Sequence, residues 1–166
     1  MIEPLLTPPD IPLLREALGG FATGVTIVTC RTGSGEPVGL TVSSFNALSL
    51  EPPMVLWSLR LVSPNLAAFD TASHFAVNVL AEAQVDLSRR FSSNAPDKFD
   101  EGAWVQGVGG APVLAGCVAA FECELASHQT AGDHRLYLGR VLAVRSQAVT
   151  PLVHQGGRYH LLGEIL

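Results

Sequence analysis

Apolar residues recur in short runs along most of the chain, separated by Gly, Pro, Ser and Asp. Such runs, bounded by turn formers, are the signature of strands. Residues 24–31 (GVTIVTCR) are rich in β-branched side chains, and TGSGEP after them is a turn by composition. Residues 38–45 (VGLTVSSF) complete a hairpin with that strand. A further strand follows in PPMVLWSLR, with its prolines at the start, where a missing N–H is tolerated. HFAVNVLA is another. Two long strands, over 115–127 and 134–146, are joined by HQTAGD, and a last pair lies around HQGGRYHLL.

Helical periodicity is confined to three places. Asp10 and Pro12 open a helix through Leu13, Leu14 and Leu18 that ends at Gly19-Gly20. Ser63-Pro64 is a good N-cap and first-turn pair for a helix carrying Leu66 and Phe69. EAQVDLSRRFS turns Val85, Leu87 and Phe91 to one side, and SNAPDKFDEGAW after it reads as a loop. About seven strands and three short helices with no βα alternation exclude a doubly wound parallel sheet. They predict an antiparallel barrel with helices packed outside. The whole of 1–166 reads as one domain, with 1–20 a helical N-terminal segment.

Composition changes this picture in one respect. Charged residues are 15% of the chain and apolar residues 48%, against about 25% charged in an average soluble domain. So little charge implies that part of the surface is covered by another subunit or a flat ligand. The net charge of −5 argues against nucleic acid, which wants clustered cations. Lys98 is the only lysine, so no polybasic membrane patch exists. No apolar run is long enough to span a bilayer. The N-terminal stretch lacks the basic region of a signal peptide, so a cytoplasmic protein is expected. Cys30, Cys117 and Cys123 lack C-x₂₋₄-C spacing and read as buried thiols in a reducing compartment.

Familiar catalytic motifs fail on context. GSGEPVG leads into Pro37 and a strand rather than a helix, so it is a turn and not a dinucleotide fingerprint. Phosphate-loop, zincin and nucleophile-elbow patterns are absent. Hydroxyls and amides nevertheless crowd the strand ends: Thr41, Ser43, Ser44, Asn46 and Ser49, then Ser58, Ser63 and Asn65, then Ser92, Ser93 and Lys98. In so apolar a chain these groups must be hydrogen-bonded or exposed. Capping and turn chemistry accounts for Ser63 and Ser92. It accounts less well for TVSS, which a ligand with many donors and acceptors would satisfy. In AGDHRLYLGRV, Gly132 and Asp133 start a strand, Arg135 reads as a solvated edge charge, and His134 stands at the mouth. Metal-ligand, catalytic and purely structural roles are open to that histidine. No second ligand stands at a recognisable metal spacing from it.

Taken in order, FATGVTIVTC, GLTVSSFNALSLEPPMVLWSL, SHFAVNVL, DLSRRFSS…DKF, AGDHRLYLGRV and RYHLL resemble the flavin reductase-like family, over about Phe21 to Leu162. The resemblance implies a Greek-key split β-barrel, the FMN-binding split barrel, with a few short flanking helices and assembled as a homodimer. It implies an NAD(P)H:flavin oxidoreductase that passes hydride from NADH or NADPH to FMN or FAD and supplies reduced flavin to a monooxygenase component. A flavin-retaining oxidoreductase acting on another substrate, or a non-enzymatic flavin-binding protein, are the alternatives. By the same resemblance Thr41, Val42, Ser43 and Ser44 line the flavin ring, with Asn46 in the following turn. Ser58 and the Ser63-to-Asn65 turn match the phosphate region, assisted by Arg90, Phe91, Ser92 and Lys98. His134 lies beside the flavin and nicotinamide rings, and Tyr159 approaches the site from the C-terminal segment. Many relatives place Ser or Thr two residues after the serine equivalent to Ser63; this chain has Asn65, which leaves the choice of FMN or FAD open.

Overall fold

The computed structural model describes residues 8–166; the expected N-terminal segment lies outside the described residues over 1–7. Helix α1 (Ile11–Gly19) starts where its cap predicts, with the Asp10 carboxylate accepting from Leu13 N at 3.2 Å. Twelve strands follow, more than expected, because several are too short to carry a pattern: β1 (Thr23–Gly24), β2 (Thr26–Arg31), β3 (Pro37–Val42), β4 (Asn46–Leu50), β5 (Pro53–Arg60), β6 (His74–Val79), β7 (Trp104–Gln106), β8 (Pro112–Leu114), β9 (Ala119–Ala131), β10 (His134–Ser146), β11 (Val153–Gln155) and β12 (Arg158–His160). Helix α2 (Leu66–Thr71) lies between β5 and β6, and α3 (Val85–Ser92) follows β6 through a 3₁₀ turn at Glu82–Gln84.

Seven strands form one antiparallel sheet in the order β3-β2-β6-β9-β10-β5-β4. The β3 end folds back towards the other side of the sheet: two residues past β3, the Ser44 hydroxyl accepts from Ser58 N at 3.0 Å and donates to Ser58 O at 2.9 Å on β5, the neighbour of end strand β4. That bridge turns the sheet into the expected mainly β, split-barrel fold. The interior is aromatic. Trp57 stacks on Tyr137 at 4.5 Å and meets Phe69 and Phe75 edge-on at 4.8 and 6.0 Å. A second cluster, with Ile27, Leu80, Phe91 and Leu152, is sealed by α3.

Four local expectations need correction. The strand at 38–45 stops at Val42, because Ser43 to Phe45 bend across the barrel seam to reach Ser58. Asn46 therefore opens strand β4, paired with Leu56, instead of standing in a turn. Ser63 does not cap α2 directly; its hydroxyl accepts from Asn65 N at 3.3 Å, and Asn65 occupies the cap position. The long hairpin is tighter than HQTAGD suggested. β9 runs to Ala131, and only Gly132 and Asp133 form the turn. Gly132 takes φ +60° while Asp133 keeps a negative φ, the glycine-first pattern of a type II′ turn.

All three cysteines are free and buried, and burial pushes each thiol up to about 12, so each is neutral at pH 7. They behave as small apolar residues. Among the described residues no helix is long and apolar enough to cross a membrane.

Candidate functional site

The β5–β10 pairing positions the site. His134 is in register with Arg60, and Leu136 with Ser58. Leu61 N donates to Asp133 O at 2.9 Å, which pins the exit of β5 beside the hairpin turn. The chain then turns through Ser63, whose N–H donates to Arg60 O at 3.0 Å. Between this turn, β10 and the end of β3 lies a cleft of about 500 Å³. It brings together Thr41, Val42, Ser43, Ser44, Ser58, Ser63 and His134 from the expected set. Leu40, Leu59, Val62 and Pro64 give it apolar walls.

The polar groups in the cleft are not equivalent. Thr41 Oγ1 donates to Ser88 O at 2.7 Å, and Ser44 bridges the seam. Those two hydroxyl protons are spent on structure. Ser43 and Ser58 make no side-chain hydrogen bond among the described residues. β3 is the end strand of the sheet, so one backbone edge of Thr41 and Val42 has no strand partner. His134 Nδ1 lies 2.7 Å from the Asp133 carboxylate. An ionised carboxylate only accepts, so Nδ1 carries the proton and Nε2 is the nitrogen left for a ligand. The same hydrogen bond holds the Asp133 carboxyl below its ordinary value. Among the described residues no cluster of three His, Cys, Asp or Glu side chains is placed to hold a metal.

The remaining expected residues fall around this cleft. Asn65 and Lys98 line a groove of about 600 Å³ that shares Pro64 with it. Lys98 Nζ donates to Phe91 O at 3.3 Å, and partial burial lowers its pKa. Ser92 and Tyr159 line a smaller cavity of about 180 Å³ on the other side of Thr41 to Ser43. Both are tied to Ser88: Ser92 Oγ donates to its carbonyl at 2.8 Å, and Tyr159 Oη lies 2.8 Å from its hydroxyl. Asn46 faces a third depression, with Phe21, Ser43 and Ser58. Its amide oxygen accepts from Ala47 N.

Two expected residues stand apart from all these cavities. The Phe91 side chain is 1% exposed and packs on Phe99 and Trp104 in the core. Arg90 is engaged by Asp97 at 3.0 Å and Glu101 at 3.3 Å, with a further bond to Asp97 O. The cation lining the cleft is instead Arg60, which makes no ion pair among the described residues. Sequence reasoning passed over it as the last residue of a strand. Its one signal was a positive charge three residues before Ser63.

A model of the flavin reductase-like domain matches residues 18–163. The chain belongs to the flavin reductase-like family. It is 45% identical to the FMN reductase (NADH) SmoA of Agrobacterium fabrum, over 87% of this chain and 82% of that protein. It is 42% identical to the reductase subunit HsaB of a flavin-dependent monooxygenase from Rhodococcus jostii, over 87% of this chain and 74% of the other. The solved structure of an NADH:FAD oxidoreductase from Streptomyces globisporus superposes with a TM-score of 0.89 at 36% identity, and the match covers 98% of both chains. That protein is also solved in complex with NAD and FAD fragments. The chain spans from 48% to 82% of the lengths of three curated relatives.

Proposed function

We propose that this protein is an NADH:flavin oxidoreductase that supplies reduced flavin to a separate monooxygenase component. The observation that carries the proposal is the cleft that joins an unpaired backbone edge, two serine hydroxyls and a carboxylate-oriented histidine, in a chain of this family. A flavin ring fits these residues: it has two flat apolar faces and one edge of alternating donors and acceptors. Leu40, Leu59 and Val62 suit the faces. The Thr41–Val42 backbone and the Ser43 hydroxyl suit the edge.

When bound together, the flavin ring takes a hydride from the nicotinamide ring, and that chemistry belongs to the two nucleotides. The protein's part is to stack the rings at reacting distance and to hold donors where negative charge grows. The backbone N–H groups between Thr41 and Ser44 that point away from β2 do this at the ring edge. His134 orients the rings through Nε2, held by Asp133 at Nδ1. Ser63 and Asn65 receive the ribityl phosphate, with Arg60 and Lys98 as its countercharges. Arg60 takes the role first given to Arg90, whose guanidinium is already neutralised by two carboxylates.

Purified protein mixed with NADH and catalytic FMN or FAD is expected to consume NADH in air. Parallel assays with NADPH and with each flavin give the two preferences. A protein that binds flavin but oxidises neither nicotinamide overturns the enzyme and leaves a flavin carrier. Flavin that never dissociates during turnover overturns the supply of a second component.

The active unit is a homodimer. No residue of α1 is buried, although Ile11, Leu13 and Leu18 are each more than half exposed. Leu50 on the end strand β4 is 93% exposed. An apolar helix and an apolar sheet edge left open in a chain with so little charge are what a second copy covers. Sedimentation equilibrium is expected to return about twice the 17.5 kDa chain mass, and a monomer at micromolar concentration refutes the assembly.

A further inference from the structure

Asp70 lines none of the cavities described above, yet it joins the two walls of the cleft. It sits near the end of α2, the helix that continues directly from the Ser63–Asn65 turn. Turn and helix are one hydrogen-bonded piece: Leu66 N donates to Ser63 O at 3.1 Å and Phe69 N to Asn65 O at 3.3 Å. Wherever α2 goes, the turn goes with it.

The Asp70 carboxylate uses one oxygen for each of two β10 side chains. Tyr137 Oη donates to Oδ1 at 2.7 Å, and Arg135 Nη2 donates to Oδ2 at 3.1 Å. Arg135 is thus a paired, largely buried cation, contrary to the solvated edge charge read from the sequence; its Nη1 donates to Thr130 at 2.9 Å. His128 stands 4.0 Å from the same carboxylate. Arg135 follows His134 in the chain, and Tyr137 stacks on Trp57, the neighbour of Ser58. The other strong attachment of α2 is Phe69, edge-on to Trp57. Apolar contact holds the helix down but does not fix how it slides or turns. A carboxylate that accepts two directed, charge-assisted bonds does.

We propose that Asp70 is a positioning residue that sets the distance between the Ser63–Asn65 turn and the ring-facing end of β10. The inference rests on the reading above that this turn receives the flavin phosphate. A displaced turn then weakens the hold on phosphate-bearing flavins and leaves ring binding alone. A merely structural residue would weaken both, or neither.

Equilibrium titrations with FMN and with riboflavin, which has the ring and ribityl chain but no phosphate, separate these cases. In Asp70→Asn the FMN dissociation constant is expected to rise about tenfold and that for riboflavin by less than about twofold, because a binding group is displaced rather than removed. Tyr137→Phe keeps the core stacking and removes one of the two bonds; it is expected to shift the FMN-to-riboflavin ratio the same way, by about threefold. An unchanged ratio in both variants, or equal loss for both flavins, overturns the proposal. Should Asp70→Asn fail to fold, Tyr137→Phe decides alone. Ser63→Ala is the control for the underlying reading. If it abolishes the FMN preference while the Asp70 and Tyr137 variants keep it, only the role of Asp70 falls. If Ser63→Ala keeps the preference, the phosphate assignment falls and Asp70 with it.

Discussion

Replacing His134 with alanine is expected to slow flavin reduction by about 10- to 100-fold, equivalent to about 1.4–2.7 kcal/mol of transition-state stabilisation. The side chain lines the cleft, is 40% exposed, and among the described residues has its only hydrogen bond with Asp133, a residue on the surface. Its removal should therefore leave the fold intact, so that lost rate and unchanged melting temperature appear together. Stopped-flow measurement of hydride transfer at saturating flavin and NADH isolates the step. An unchanged rate would remove His134 from the mechanism. A parallel loss of rate and stability would mark it as a structural residue. Asp133→Asn serves as a graded companion, since an amide can present its oxygen to Nδ1–H but not the charge.

The largest loss of stability is expected from Trp57→Ala. Trp57 is fully buried, stacks on Tyr137, and meets Phe69 and Phe75. Truncation of such a side chain costs about 3–5 kcal/mol in lost transfer energy and an unfilled cavity. For a domain of this size each kcal/mol lowers the melting temperature by about 2–4 °C, so a fall of roughly 6–20 °C follows. Urea unfolding should show a lower midpoint with little change in slope. Trp57→Phe is expected to cost much less. The indole Nε1 is buried with no hydrogen-bond partner among the described residues, so phenylalanine keeps an aromatic core while discarding an unpaired donor. A Trp57→Ala variant within about 1 kcal/mol of the parent would mean that the barrel interior tolerates collapse around that position.

The strand pattern was legible in the sequence wherever an element long enough to show a pattern had to bury a face. GVTIVTCR, HFAVNVLA and the strand beginning at His134 carry runs of β-branched or apolar residues because each crosses the barrel core. β4, β7 and β8 escaped because their identity comes from pairing with a neighbour more than from their own composition. Residues of β4 are mostly exposed, and what makes them a strand is the edge of β5. The same division runs through the site. Ser43, Ser58, Ser63 and His134 stood out as polar groups at strand ends in an apolar chain, and the structure brings them to one cleft.

Local sequence thus determined the mainly β class, the start of α1 and the polar groups at the strand ends, because periodicity and turn chemistry act over a few residues. Tertiary structure alone decided which of those groups are left unengaged in the cleft. Thr41 spends its hydroxyl on Ser88, Ser44 spends its own on Ser58, Arg90 is neutralised by Asp97 and Glu101, and Arg60 keeps its charge for the cleft. Each partner is distant in the chain or brought close only by folding. A hydrogen-bond donor has no intrinsic role until the fold supplies its acceptor.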